Sequence, residues 1–123
     1  ATARTEGIAA LVEETLARWN AKVEDPRARA RCINANPEGY AASCEAIAGS
    51  DFYTTTAGLR LPTLGLCGDR DKSTPPDLIR ETTDLVPGST FQLIRGAGHL
   101  VPETHADVVA GYLYEFLVSI GHM

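Results

Sequence analysis

A chain of 123 residues has the length of one ordinary domain, and its 44% hydrophobic and 22% charged residues exclude a disordered segment. A formal net charge of −5 speaks against nucleic acid as a partner, and no apolar run reaches the roughly 18 residues of a membrane span. Cys32, Cys44 and Cys67 fit no metal-binding spacing and suit reduced thiols in a cytoplasmic protein; no signal peptide is visible, although a chain starting at Ala1 rather than Met is expected to be processed, trimmed or a fragment.

Residues 5–19 read as one amphipathic helix, because Ile8, Leu11, Val12, Leu16 and Trp19 recur on one face of a 3.6-residue period. Thr5 would cap it, and Glu6 suits the positive end of the helix dipole. A second helix is expected from Asp25-Pro26, a cap followed by proline at the first position. It carries Arg27, Arg29 and Arg31, more simply a solvated face than a site for an anion. A third opens at Asn36-Pro37, turns Tyr40, Ala41, Cys44, Ile47 and Ala48 inward and stops at Gly49. Three short helices with no strand between them suggest a lid over something else.

Residues 50–61 read as a connector. Residues 62–67 then form a strand apolar on both faces, as central parallel strands are. A helix follows over 76–85, with Leu78, Ile79, Thr82 and Leu85 or Val86 inward, and Pro87-Gly88 ends it. The second strand spans 90–95, Gly96-Ala97-Gly98 turns the chain, and a last helix runs from about 104 to 118 on Val108, Val109, Tyr112, Leu113, Phe116 and Leu117. The expected class is α/β: a helical cap over residues 1–50, then a parallel strand–helix–strand–helix core over 51–123. Two parallel strands make an incomplete sheet, since independent sheets usually need three or more. The remaining strands are therefore expected from elsewhere.

Each strand ends in a group with acid–base chemistry. Past the first lie Asp69 and Asp71; past the second lies His99. One strand–helix–strand step separates Asp71 from His99, which sets them at neighbouring strand ends, where open α/β sheets place their sites. A carboxylate there can orient the imidazole and stabilise its cation. The alternative is a loop aspartate capping the next helix and a histidine in a turn. Asp71 is preferred over Asp69 because the spacing of Gly68, Asp71 and Pro75 sets it at the loop tip. Acid then histidine are two members of a hydrolytic triad in the order nucleophile, acid, histidine, yet no Gly-x-Ser-x-Gly elbow occurs. Cys67 lies within the strand and reads as buried filler rather than a nucleophile. No His-Glu-x-x-His spacing joins Asp69, Asp71, His99, Glu103 and His105 into a metal site. Trp19 and Tyr40 could line a substrate pocket or simply pack the helices.

The run Leu64-Gly65-Leu66-Cys67-Gly68-Asp69-Arg70-Asp71-Lys72-Ser73-Thr74-Pro75-Pro76 and the turn Gly96-Ala97-Gly98-His99-Leu100 resemble the acid and histidine motifs of the α/β-hydrolase fold. Glu6-Gly7-Ile8-Ala9-Ala10-Leu11-Val12, Arg18-Trp19 and Asn36-Pro37-Glu38-Gly39-Tyr40 resemble the helical cap of 3-oxoadipate enol-lactonases, enzymes of aromatic catabolism through the β-ketoadipate route. The chain departs from that pattern at Glu103-Thr104-His105-Ala106. The resemblance covers the whole chain but only the carboxyl-terminal half of such an enzyme. It implies a serine on an absent amino-terminal half, His99 as its base, Asp71 orienting His99, and no cofactor or metal. The substrate implied is a small anionic lactone or ester. Two alternatives remain: a related hydrolase of another ester or a carbon–carbon bond, or a non-catalytic fragment stable only by association.

Overall fold

The computed structural model describes residues 1–20 and 26–123, so the predicted cap Asp25 lies outside the described residues. The chain divides into two compact units, Ala1–Asp51 and Phe52–Met123.

The first unit is helical. α1 (Thr2–Thr5) leads through a 3₁₀ turn (Ile8–Leu11) into α2 (Val12–Trp19), followed by α3 (Pro26–Ile33) and α4 (Pro37–Ala48). The predicted single helix over 5–19 is therefore broken. Gly7 sits at φ 79°, a left-handed conformation that glycine reaches without a Cβ penalty and that no helix contains. Thr5 ends α1 rather than capping a helix, and its hydroxyl donates back to the Ala1 and Thr2 carbonyls. The apolar stripe survives the break: Ile8, Val12 and Leu16 are buried, together with Ala3, Ala28, Cys32 and Ala41. Leu16, fully enclosed, contributes about 1.5–3 kcal/mol by its burial. Asn36 caps α4 as expected, accepting the Gly39 amide at 2.9 Å. The inward stripe predicted for α4 is narrower than its pattern. Ala41 is buried and Tyr40 half-buried, whereas Cys44 and Ala48 are exposed and Ile47 is 75% exposed. Arg4 bridges α1 to α4 by bonding both Glu38, at 2.7 and 2.8 Å, and Glu45, and Arg29 reaches Glu13 at 2.7 Å between α3 and α2.

The second unit starts with a short helix, α5 (Tyr53–Ala57), within the stretch read as a connector. β1 (Leu64–Gly68), α6 (Pro76–Asp84), β2 (Thr90–Ile94), α7 (Val101–Thr104) and α8 (Ala106–Ser119) follow. β1 and β2 pair in parallel, with Leu64 opposite Thr90 and Gly68 opposite Ile94. Among the described residues these two strands are the whole sheet.

α6 lies against β1 through a notch. A Cβ on Gly65 would run into the side chain of Thr83, so the missing side chain admits the helix. Its inward positions are accordingly Ile79 and Thr83, with Val86 buried just past its end; Thr82 and Leu78 are exposed, contrary to the predicted face. The last helix, α8, matches the predicted span to within two residues, and a separate short helix, α7, precedes it across His105 (φ −136°, ψ 45°). Val109 of α8 is buried with Ile94, Ala97 and Val101, and Leu66 and Tyr112 pack against them. Val108 and Leu113, predicted inward, are 44% and 45% exposed.

Candidate active site

The loops that leave β1 and β2 are stitched together at the carboxyl end of the sheet. The Asp69 amide donates to the Ile94 carbonyl at 3.0 Å, and the Arg70 amide donates to the Ala97 carbonyl at 2.9 Å. Asp69 Oδ1 accepts the Gly96 amide at 2.8 Å. Gly68 lets the loops approach this closely, since a Cβ there would strike the carbonyl oxygens of Ala97 and Gly98. Of the two candidate acids, Asp69 is thus the brace between the loops.

Asp71 is the acid that meets the histidine. Its Oδ2 lies 2.8 Å from His99 Nδ1. Oδ1 accepts the amides of Ser73, at 2.8 Å, and Thr74, at 3.0 Å. The Thr74 hydroxyl donates to Oδ2 at 3.0 Å and stands 3.3 Å from His99 Nδ1. Asp71 does not cap the next helix, since α6 has no side-chain cap; one of its oxygens closes the loop ahead of α6 and the other faces the imidazole. The Asp71 residue is 7% exposed. Burial pushes its carboxyl up, but the bonds from His99, from the Thr74 and Ser73 amides and from the Thr74 hydroxyl outweigh it, and the net shift is downward. An ionised carboxylate has no proton to give, so the contact with His99 is donated by Nδ1–H. In the neutral imidazole the lone pair then lies on Nε2, the nitrogen a general base uses.

The pair lines a pocket of about 180 Å³ whose other walls are Leu66, Cys67, Thr74, Ile79, Val101, Pro102 and Val109. This apolar lining limits screening of the Asp71–His99 bond. The Cys67 thiol is buried, with the Gly68 and Thr74 carbonyls 3.4 and 3.5 Å from its sulfur. Burial first, then the nearby Asp71 and Asp77 charges, push its pKa up, which opposes thiolate formation. Among the described residues no group of three or more His, Cys, Asp or Glu side chains is placed to hold a metal ion. Likewise, no described helix is long and apolar enough to cross a membrane.

Trp19 and Tyr40, the other candidates, belong to the unit Ala1–Asp51. Tyr40 is half-buried and lines a shallow pocket with Leu11, Ala41 and Cys44. Trp19 is half-buried at the end of α2 and does not line that pocket. Thr74 went unnoticed in the sequence. Its signal was the following Pro75, which biases the preceding residue away from helical backbone and leaves its hydroxyl for the loop rather than for a helix turn.

The architecture of the described residues is that of the carboxyl-terminal part of α/β-hydrolases. Among solved structures, the enol-lactonase from Burkholderia xenovorans LB400 is 28% identical, with a TM-score of 0.86 over 95% of this chain and 47% of its own. A thermophilic esterase from Thermogutta terrifontis is 29% identical, with a TM-score of 0.85 over 98% of this chain and 47% of its own. A bromoperoxidase from Bacillus anthracis is 25% identical, with a TM-score of 0.80 over 94% and 45%. The chain spans about half the length of these proteins. No protein-family model matches it, and no curated protein does.

Proposed function

We propose that this chain supplies the acid and the histidine of a serine-type hydrolase acting on a carboxylic ester or lactone, with 3-oxoadipate enol-lactone as the leading substrate. The observation that carries this reading is the 2.8 Å bond between Asp71 and His99 at the rim of the sheet. The likeness to an enol-lactonase supports the lactone; the likeness to an esterase supports an open-chain ester as the second candidate.

In this reading a serine from an amino-terminal half, on the same polypeptide or another, attacks the substrate carbonyl. His99 Nε2 takes the serine proton while Asp71 stabilises the imidazolium. As the carbonyl–oxygen bond breaks, His99 returns that proton to the leaving oxygen. His99 next removes a proton from water, whose oxygen attacks the acyl-enzyme carbonyl. The serine oxygen leaves with the proton, and the free acid is released. No cofactor enters. The helical segment, residues 1–50, would serve as a cap, with Trp19 and Tyr40 as its substrate contacts.

The absence of a Gly-x-Ser-x-Gly elbow supports an inactive isolated chain. The test is hydrolysis of the enol-lactone and of simple esters by the chain alone and by the chain joined to an amino-terminal hydrolase half carrying that elbow. Turnover is expected only in the joined protein, with His99→Ala lowering kcat at least about 100-fold. A joined protein whose rate ignores that substitution refutes the reading.

A further inference from the structure

We propose that Thr74 is a positioning residue whose hydroxyl, donating to Asp71 Oδ2, fixes the carboxylate and tempers its hold on the His99 imidazole; this rests on the proposed roles of Asp71 and His99. Three distances carry it. Thr74 Oγ1 lies 3.0 Å from Asp71 Oδ2, His99 Nδ1 lies 2.8 Å from that same oxygen, and Thr74 Oγ1 is 3.3 Å from Nδ1. One oxygen therefore accepts two donors that stand side by side, while the other is occupied by the Ser73 and Thr74 amides. With all four bonds made, the carboxylate has little freedom to swing away from the imidazole.

The hydroxyl has no competing duty in the helix that follows. α6 begins at Pro76 behind Pro75, with no side-chain cap. A residue needed only for the turn would bond through its backbone amide, as Thr74 also does. The side-chain bond is separate from that amide contact and can be removed alone.

The electrostatic consequence has a definite sign. A donor on Oδ2 draws off part of the negative charge that would otherwise stabilise the imidazolium. Removing the hydroxyl leaves Nδ1–H as the sole described donor to Oδ2 and strengthens the hold on the cation. Of the other residues lining the pocket, Asp71 and Cys67 are titratable; α6, α7 and α8 contribute Ile79, Val101, Pro102 and Val109, all apolar.

The experiment is an NMR titration of the full chain, following the ring carbon protons of His99 and the proton on Nδ1. The three histidines are told apart by substituting His105 and His122 in turn. Thr74→Val keeps the side-chain shape and deletes the hydroxyl. It is expected to raise the His99 midpoint by about half a pH unit, which corresponds to a difference of about 0.7 kcal/mol between the hydroxyl's effect on the cationic and on the neutral imidazole. Thr74→Ser is expected to restore the wild-type midpoint. If the valine variant does not fold, Thr74→Ala is expected to show the same rise. An unchanged midpoint in the hydroxyl-free variant, or a serine variant that behaves like it, overturns the proposal. Asp71→Asn separates this failure from a wider one. A His99 midpoint that drops in Asp71→Asn but ignores Thr74→Val overturns the role of Thr74 alone. A midpoint that ignores both substitutions overturns the Asp71–His99 pair as well.

Discussion

Replacing Gly68 by alanine is the sharpest test of how the site is assembled. The added methyl carbon would press on the carbonyl oxygens of Ala97 and Gly98. Neither obstacle is a side chain that can rotate away. The Ala97 oxygen is further tied to the Arg70 amide at 2.9 Å. Adding a methyl group to a packed interior costs about 1–3 kcal/mol, occasionally more, and a backbone-on-both-sides clash belongs at the top of that range. In a domain of this size about 3 kcal/mol corresponds to a fall in Tm of roughly 10–20 °C. The relief available is for the loop after β2 to move outward, which would lengthen the bond between Asp71 and His99. Thermal unfolding by circular dichroism measures the first effect; loss of the protected proton on His99 Nδ1 by NMR measures the second. A Tm within about 3 °C of wild type, with that proton still protected, would refute the claim that Gly68 sets the spacing of the two loops.

Acid should reveal Asp71 in a similar way. Its folded pKa lies below the ordinary carboxylate value, so its contribution to stability is fully present above about pH 4 and disappears as pH falls through the lowered value. Denaturant titrations between pH 5 and pH 2 should show a shallower loss of stability in Asp71→Asn than in wild type, and parallel curves would contradict this. At Gly111, within α8, an added Cβ meets nothing within 4 Å. Gly111→Ala should therefore stabilise the chain by about 0.5–1 kcal/mol through helix propensity alone, read as a higher denaturant midpoint; a lower midpoint would mean that this face is already covered in solution.

The order of β1, α6, β2 and α8, and of the longer helices before them, was legible because each segment carried its own period and its own stop, as at Asn36-Pro37 and Pro87-Gly88; the short α5 and α7 carried neither. The juxtaposition of Asp71 and His99 was legible because parallel strands one crossover apart end side by side. The breaks were not. The apolar spacing runs unbroken from Ile8 to Trp19, so it shows neither the 3₁₀ turn over Ile8–Leu11 nor the left-handed backbone at Gly7 just before it. At α6 the local pattern nominates Leu78 and Thr82. The face is decided instead by the notch at Gly65, on another element, which receives Thr83. The bond of Thr74 to Asp71 was hidden for the same reason, since it depends on where a loop folds back rather than on any period.

The stitching between the two loops has an evolutionary corollary. Every bond described to the Asp71 carboxylate comes from Ser73, Thr74 or His99, and the bonds that brace those loops run between Asp69 or Arg70 and residues 94–97. The acid and its imidazole are thus held by two short loops that brace each other across the ends of β1 and β2. None of these described bonds involves residues 1–51, so sequence change there leaves the hydrogen bonding of the Asp71–His99 pair as it is.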